Sequence, residues 1–299
     1  METKDTLKNK VDFAVIMAVE HANPNGDPLN GNRPRQTYDR LGEISYVCLK
    51  RKIRNRLLDM GASIFVQSDD KRLEKEIRSL KDRYDVALKE NKDRDIREWT
   101  CEKWLDVRLF GQLFAFGKKD GKKKDDGGED TGAVSIGIRG PVTIQSAYSL
   151  DEVIVDSTQI TKSVNLETDK KNPDKRGADT MGMKHRIVKG VYVAYGSINT
   201  QLANVTGVTD DDVALFLRAL RSIFENDVSS ARPEGTMEVL KVVWWKHNCA
   251  TGQYSSAKVH RTLKNNIKPD GSFDETAVRD ALPGLRVEFF DQLEGSDLI

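Results

Sequence analysis

The stretch HANPNGDPLNGNRPRQ, residues 21–36, has the residue types of a phosphate-binding loop. Asn and Gly tolerate left-handed backbone, Pro stiffens the chain, and the exposed amides of such a loop, Asn25 among them, can cradle phosphate oxygens. Arg33 and Arg35 would add positive charge. The stretch is not a Walker loop and lacks the carboxylate ladder of a calcium loop. An ordinary structured connection between a strand and a helix is the alternative interpretation.

The sequence that follows this opening loop is locally basic. Residues 30–56 contain eight basic residues against two acidic ones, Asp39 and Glu43. Contacts from Lys and Arg to phosphates release counterions and supply affinity that does not depend on base sequence. The pattern predicts a loop and helix that follow a nucleic-acid backbone, and a solvated helix face is the alternative. The basic residues are Arg33, Arg35, Arg40, Lys50, Arg51, Lys52, Arg54 and Arg56.

A second basic stretch, residues 161–190, ends with two methionines next to cations. It holds eight Lys or Arg against four acidic residues and has few apolar ones. A thioether side chain can wedge between stacked bases while neighbouring charges hold the phosphates. The alternative is a surface loop in which the methionines have no such role. The residues concerned are Met181, Met183, Lys184, His185 and Arg186.

Few residues point to catalysis or to a cofactor. The four histidines, His21, His185, His247 and His260, are scattered, and no H-E-x-x-H or G-x-S-x-G motif occurs. Asp27 is positioned in the opening loop where a carboxylate can bind a metal ion or orient a ribose 2'-hydroxyl for cleavage. A lone Asp in an Asn-Gly-Asp-Pro sequence more often forms the turn itself. No metal and no cofactor are therefore predicted.

Composition limits the class of protein. Lys and Arg number 48 against 47 Asp and Glu, so any site for a polyanion must be local. Three cysteines without C-x-x-C spacing predict neither a disulfide framework nor a zinc site, which fits a reducing cytoplasm. No apolar run approaches the roughly 18 residues of a transmembrane helix, so a membrane is not expected as a partner.

Apolar periodicity predicts an α+β protein. Phe13, Val15, Met17 and Val19 alternate with smaller or polar neighbours, which is typical of a strand with one buried face, here ending near Glu20. The segments AVSIGIRGPVTIQ, DEVIV, VYVAYGSI, TMEVLKVVWW and LRVEFF are predicted as further strands.

Helical patterns lie between these strands. Residues 38–60 are predicted as one helix with Leu41 and Ile44 on its apolar side, and residues 209–226 as another that opens with a capping box. Residues 71–116 are expected to be mostly helical, and the apolar-free residues 118–130 to form a mobile tip. This order predicts a ferredoxin-like sheet with helices on one face.

Three stretches together resemble a known family. NPNGDPLNGNRPRQ after the first strand, GIRGPVTIQSAYS in the middle and TKSVN…GMKHRIVKGVYVAYGSIN later are similar to the backbone subunit of the type I-C CRISPR surveillance complex, Cascade, in the RAMP superfamily. The resemblance covers essentially the whole chain. It implies a modified ferredoxin-like, RNA-recognition-motif palm with a helical finger insertion and a thumb loop, and it implies that the chain is not an enzyme.

The resemblance also assigns regions and residues. It makes residues 1–68 the first part of the palm, 69–131 the finger insertion with its tip at 118–130, 132–162 palm strands, 163–187 the thumb and 188–299 the second part of the palm. It implies guide-RNA contacts by Asn25, Arg33, Arg35, Arg40, Lys50, Arg54, Arg139, Gln145, Lys184, His185 and Arg186. Met181 and Met183 would displace a base of the RNA at regular intervals.

The implied function is a non-catalytic subunit that polymerises along CRISPR RNA and presents it, already ordered, for pairing with target DNA. Identical subunits in head-to-tail contact would form a helical filament, because such contacts do not close. The implied partners are CRISPR RNA, target DNA through the RNA–DNA heteroduplex, further copies of the chain, other subunits of the complex and a recruited nuclease-helicase, all in the cytoplasm.

Two other functions stay open at this point. RAMP relatives in type III complexes cut RNA with an aspartate in the loop after the first strand, so Asp27 would serve a metal-dependent endoribonuclease. A generic RNA-binding module outside CRISPR would also explain the local basic surfaces.

Overall fold

The structure, a computed structural model, describes residues 5–115, 135–161 and 181–295. The predicted tip at 118–130 and most of the predicted thumb therefore lie outside the described residues. The strands are β1 Val11–Ala22, β2 Gly26–Asp27, β3 Arg33–Pro34, β4 Leu41–Ile44, β5 Gly111–Ala115, β6 Ser135–Arg139, β7 Val142–Ile144, β8 Ala147–Glu152, β9 Val155–Thr161, β10 Met181–Ile198, β11 Met237–Lys246 and β12 Arg286–Phe290. The helices are α1 Tyr46–Asp59, α2 Leu80–Glu90, α3 Ile96–Lys103, α4 Leu105–Phe110, α5 Thr200–Thr206, α6 Asp210–Arg221, α7 Ser256–Lys264 and α8 Glu275–Asp280.

A large antiparallel sheet organises the chain. Its strands lie in the order β12-β11-β1-β10-β8-β4, and β7 and β9 also pair with β10. The C-terminal half of the long strand β10 lies inside the sheet, while residues 181–187 pair with β9 and form a two-stranded ribbon. The chain is thus an α+β protein, as predicted.

Strand β1 is buried on both faces, and the prediction of one buried face is wrong. Phe13, Val15 and Met17 pack into one hydrophobic core, while Ala14 and Ile16 pack into a second core across the sheet. The reason is position: β1 lies in the middle of the sheet between β10 and β11, so even its small side chains meet covering elements. In β1, alternation in residue size therefore does not correspond to alternation in burial.

Helices cover both faces of the sheet, and the prediction of helices on one face is wrong as well. Helices α1, α4 and α6 supply apolar side chains to the first core, whereas α7 and α8 supply Val259, Leu263 and Val278 to the second. A strand that is apolar on both faces requires a cover on each face, since leaving either in water would forgo the burial of several large side chains.

The first long helix begins later than predicted. Helix α1 starts at Tyr46, after the N-cap Ser45, whose hydroxyl accepts a hydrogen bond from the backbone N–H of Cys48. The predicted helical residues Leu41 and Ile44 instead form β4, which pairs with β8. Gly42 permits this pairing, because a Cβ there would lie 2.1 Å from the hydroxyl of Tyr192.

Two further predictions concern the start of the second long helix and the strand DEVIV. The capping box of the second long helix is confirmed, because Thr209 and Asp212 each accept a hydrogen bond from the backbone N–H of the other, although α6 ends at Arg221. DEVIV is not one strand, since β8 ends at Glu152 and β9 begins at Val155.

The region expected to be mostly helical contains three short helices and a strand. Helices α2, α3 and α4 are followed by β5, which pairs with β6. Aromatic residues hold α2 in place, because Tyr84 of α2 packs against Trp99 and Phe114 at centroid distances of 5.7 and 5.2 Å. These side chains form a third hydrophobic core, separate from the two at the sheet.

Candidate nucleic-acid interface

The opening loop and the residues that follow it, up to β4, fold into two small hairpins. In the first hairpin, residues 26–34, β2 pairs with β3 around a short 3-10 turn. The Asp27 carboxylate accepts hydrogen bonds from the Leu29 N–H at 3.2 Å and from Arg35 at 3.4 Å. Asp27 thus forms the turn, and among the described residues no group of three His, Cys, Asp or Glu side chains could hold a metal ion.

The second hairpin, residues 35–43, ends in the turn Thr37–Arg40. The Arg40 N–H donates to the Thr37 carbonyl at 3.0 Å, and the Glu43 N–H donates to the Arg35 carbonyl at 2.9 Å. Arg40 also forms an ion pair with Glu152 at 2.8 Å. Arg40 therefore lies at the surface, as an RNA contact requires, but it already has an acidic partner.

Asn25 joins the opening loop to helix α1. Its side-chain oxygen accepts a hydrogen bond from the Ser45 N–H at 2.9 Å, and its carbonyl accepts one from the Arg35 N–H at 3.0 Å. Ser45 is the N-cap of α1, so one asparagine fixes the loop relative to the helix. The structure gives Asn25, predicted to contact RNA, a role in positioning the loop.

The opening loop also contacts the ribbon. Arg33 donates to the Ser157 hydroxyl at 3.3 Å, and that hydroxyl lies 2.8 Å from His185 Nδ1. Arg33 is exposed and has no carboxylate partner within the described ranges. Residues from two predicted sites that are far apart in sequence, Arg33 and His185, are thus connected through one serine.

A cavity of about 380 Å³ lies at this junction. The residues that line it include Asn23, Ile160, Met183, Lys184 and His185. The side-chain oxygen of the buried Asn23 has no hydrogen-bond partner within the described residues. The residues at this junction therefore include basic residues, apolar residues and an asparagine whose side-chain oxygen accepts no hydrogen bond from the described residues.

The register of the ribbon separates the methionines from two of the predicted cations. Met181, Met183 and His185 occupy alternate positions on β10 and share one face, because side chains in a strand alternate. Lys184 and Arg186 point to the opposite face, where Arg186 pairs with Asp156 at 3.0 Å. Met181 and Met183 are exposed, so the structure leaves both thioethers accessible.

Helix α1 directs only part of its charge to the surface, and the predicted cation surface is correspondingly smaller. Lys52 is buried against Asp227, and Arg56 is buried with its Nε 2.8 Å from the Ser222 hydroxyl. Burial lowers the pKa of Lys52, and the charge of Asp227 opposes that change. These cations lie on the side of α1 that packs on the sheet, which a count of basic residues does not reveal.

Lys50 and Arg54 lie one turn apart on another side of α1. Their cationic groups lie 5.2 and 5.0 Å from the centre of the Phe110 ring. Arg54 also pairs at 2.9 Å with Asp106, whereas Lys50 has no acidic partner among the described residues. Burial lowers the pKa of Lys50, and the charge of Arg54 lowers it further. No acidic side chain among the described residues neutralises the charge of Lys50. A cation that contacts a phosphate would have this property.

Arg139 reaches the same region through a close backbone contact. A Cβ on Gly140 would lie 2.4 Å from the Gly111 nitrogen, so the end of β6 can approach the end of α4 only with glycine at position 140. Arg139 is exposed there, next in sequence to this contact. Gln145 is also exposed, and its backbone N–H donates to the Tyr195 carbonyl at 2.8 Å.

Sequence reasoning missed a buried polar cluster on the far side of the chain. Asp12 lies 2.9 Å from His247 and 3.2 Å from Lys10, and His260 lies 3.7 Å away. Burial raises the pKa of Asp12, but the hydrogen bond from His247 and the charge of Lys10 are among the effects that bring it below the ordinary value. Because both histidines are far from Asp12 in sequence and Asp12 and His247 are fully buried, no local motif marks the cluster and its role is structural.

Sequence reasoning also missed Tyr38, at the tip of the second hairpin, which is fully exposed to solvent. An aromatic residue between Thr37 and Asp39 in a basic segment was the available signal.

No helix within the described ranges combines the length and apolar character needed to span a bilayer.

The chain is similar to several known proteins. A CRISPR-associated protein Cas7 from Haloferax volcanii is 29% identical over 227 residues, which are 73% of this chain and 66% of that relative. The aligned part thus spans just under two thirds of the relative's length. A chain of a solved CRISPR RNA-guided surveillance complex superposes with a TM-score of 0.50 at 15% identity, covering 97% of this chain and 91% of that chain.

A second solved chain, from a CRISPR RNA-guided surveillance complex, pre-nicking, is 16% identical with a TM-score of 0.43 and covers 79% of this chain and 78% of that chain. The model of the family described as CRISPR-associated protein Cas7 matches residues 9–281. This match extends from the first strand of the sheet to the end of α8 and includes the opening loop, helix α1 and the ribbon. The chain therefore belongs to the Cas7 family of CRISPR-associated proteins.

Proposed function

We propose that the chain is the non-catalytic, guide-RNA-binding backbone subunit of a type I-C CRISPR surveillance complex. The observation that carries the proposal is the hydrogen-bonded connection from Arg33 through Ser157 to His185. It brings the opening loop and the ribbon, both rich in exposed polar and cationic groups, to one side of the sheet. A continuous polar surface of this kind suits a phosphate backbone, whose charge recurs at every nucleotide.

The sheet with its covering helices would be the palm, a modified ferredoxin-like fold, and residues 69–131 the finger insertion. The ribbon would be the base of a thumb formed by residues 163–187. Lys50 and Arg33 are the strongest candidates for phosphate contacts, because both lack an acidic partner among the described residues. Arg35, Arg40, Arg54 and Arg186 have acidic partners and would contribute less charge, while Arg139, Gln145, Lys184 and His185 would complete the surface.

Met181 and Met183 would displace a base of the RNA held by the adjoining copy. Both lie on one face of a ribbon that projects from the sheet, and both are exposed. An apolar wedge between bases is a known device for unstacking a nucleic acid. Periodic displacement would divide the guide into short ordered runs that pair with target DNA at a reduced entropic cost. Other subunits and a nuclease-helicase would then join the assembly in the cytoplasm.

The endoribonuclease alternative has less support. Cleavage would require the Asp27 carboxylate to bind a metal or orient a hydroxyl, but this carboxylate caps a turn and contacts Arg35. A generic RNA-binding module would not explain the match to the Cas7 family over residues 9–281.

The test is purification of the tagged chain from its own host under nuclease protection, followed by sequencing of the bound RNA. We expect repeat-derived guides and several copies of the chain in each particle. Scattered cellular RNA on a monomer would support the generic module instead. Metal-dependent RNA cleavage that is lost in Asp27→Ala would support the nuclease.

A further inference from the structure

The two hairpins of the opening loop each display one large side chain to solvent. Leu29 at the first tip is 98% exposed, and Tyr38 at the second tip is fully exposed. No other large hydrophobic side chain in the described ranges is as exposed as these two. An isolated exposed residue is ordinary, so an inference requires evidence that its position is maintained by the structure.

The turn that carries Tyr38 is held by many hydrogen bonds. The Thr37 N–H donates to the Leu41 carbonyl at 2.8 Å, and the Leu41 N–H donates to the Thr37 hydroxyl at 3.1 Å. The Arg40 carbonyl accepts from the Val153 N–H at 3.1 Å, which fastens the turn to the segment between β8 and β9. The aromatic ring is thus presented on a backbone that is fixed from both sides.

The same turn contains backbone strain. Arg40 has φ of +61°, in the left-handed region that side-chain-bearing residues other than Asn and Asp seldom occupy. Its guanidinium is held by Glu152, and its carbonyl is held by Val153. Strain that the surroundings over-determine is found mainly at functional sites, so this tip has the character of a site.

The surroundings of Tyr38 indicate the chemical class of its ligand. Its chain neighbours Thr37, Asp39 and Arg40 are polar, so the tip lacks the ring of apolar neighbours that forms the core of a protein interface. A single aromatic ring among charged groups is sufficient for a nucleobase, because stacking uses one ring face while nearby cations hold phosphates. Arg40 and Arg33 are the nearest exposed cations in sequence, since Arg35 is half-buried and pairs with Asp27.

We propose that Tyr38 is a stacking platform for one base of single-stranded RNA, separate from the two thumb methionines. The inference rests on the proposed function and adds to it a base contact by the palm. Because stacking tolerates every base, the contact holds the guide without reading its sequence. The hairpin fixes the backbone that carries the ring in advance, so little loop entropy is lost on binding.

The structure offers a direct optical test. All four tryptophans, Trp99, Trp104, Trp244 and Trp245, are buried. In the variant Tyr38→Trp, acrylamide quenching of fluorescence therefore reports on the new indole. We expect a short mixed-sequence RNA to protect this indole from acrylamide, and an abasic analogue with the same number of phosphates to bind without protecting it.

Affinity measurements on the full chain supply the matched controls. Tyr38→Leu keeps an apolar side chain but removes the ring, and it should weaken binding of the mixed-sequence RNA about tenfold. Tyr38→Phe should bind like the parent protein, and Leu29→Ala, at the equally exposed sister tip, should also change little. Binding of the abasic analogue should be the same for all four proteins.

Equal protection of the introduced indole by the mixed-sequence and abasic RNAs would overturn the proposal, because the indole would then respond to the backbone alone. Protection that grows with protein concentration in the absence of RNA would also overturn it, in favour of a contact with a second copy. If the parent protein binds neither RNA, the proposed function itself fails, which is a different result from RNA binding that does not involve Tyr38.

Discussion

The inner and outer sides of helix α1 carry the same residue types in opposite surroundings. On the inner side, Lys52 is buried against Asp227 and packs over the Phe224 ring at 5.7 Å. On the outer side, Lys50 is only partly buried, and Arg51 is exposed to solvent. The comparison shows that cations counted along a sequence divide into those that hold the fold and those that are available to a ligand.

The physical cause of this division is the helical period. Lys52 and Arg56 lie four positions apart, on the side where Leu49 and Ile53 enter the core, so both cations are drawn inward with them. A buried cation requires a partner, because an uncompensated charge in the interior costs several kcal/mol. Asp227 meets this requirement for Lys52 and also pairs with Arg232 at 3.0 Å.

The largest effect is expected on the inner side. Lys52→Ala should destabilise the protein by about 3 kcal/mol, because it removes the buried side chain and leaves the partly buried Asp227 carboxylate with one partner fewer. Urea unfolding without RNA measures this effect, and the adjacent variant Arg51→Ala should stay within about 0.5 kcal/mol of the parent protein. Equal stabilities of the two variants would show that Lys52 does not hold the fold and would return it to the candidate RNA surface.

An intermediate effect concerns pH, and it separates buried from exposed histidines. Burial lowers the pKa of His260 from its ordinary value of 6.5, so below that pH the unfolded chain binds more protons than the folded one. Stability is therefore complete above about pH 6.5 and falls as the pH decreases through the lowered pKa. Asp12, whose pKa is also lowered, loses its contribution only below its ordinary value of 3.8.

Thermal unfolding at pH 7 and pH 5.5 tests this prediction. His260→Gln should reduce the loss of stability between the two pH values, because the variant has no imidazole to protonate at that position. The control His21→Gln removes an exposed ring and should leave the loss unchanged. An identical loss in His260→Gln and the parent protein would mean that His260 is not responsible for the acid sensitivity.

The smallest effect is expected on the outer side, and it concerns binding more than stability. Lys50→Ala should weaken RNA binding severalfold at all sequences and reduce the slope of log affinity against log salt by about 1. The variant should lose less than about 1 kcal/mol of unfolding free energy, because the contact with Phe110 is the interaction it removes and no acidic partner is lost within the described ranges. A titration of RNA at several salt concentrations measures both the affinity and the salt slope.

Arg54→Ala is the matched control for Lys50, one turn further along the same side of α1. It removes the pair with Asp106, which also accepts hydrogen bonds from the Phe65 and Val66 N–H groups at 2.7 and 3.1 Å. Its main effect should therefore be on stability. A larger change of salt slope in Arg54→Ala than in Lys50→Ala would reverse the assignment of these two cations.

Local patterns in the sequence predicted several elements correctly. VYVAYGSI lies in β10 and TMEVLKVVWW in β11, because runs of β-branched and aromatic residues favour strands wherever they are placed. The capping box of α6 was also predictable, since its two hydrogen bonds join residues three positions apart. By contrast, the strand β4 was predicted as helix, because its pairing with β8 depends on residues about 100 positions away.

The family, the mixture of helices and strands and the two basic stretches, one of them with methionines, could all be read from the sequence. These properties depend on residue types at short spacing, which the chain carries in any conformation. The burial of both faces of β1, the internal partners of Lys52 and Arg54, and the pairing of residues 181–187 with β9 became evident only from the three-dimensional structure. Burial, ion pairing and strand register arise from contacts between distant segments, and no local pattern specifies which segments meet.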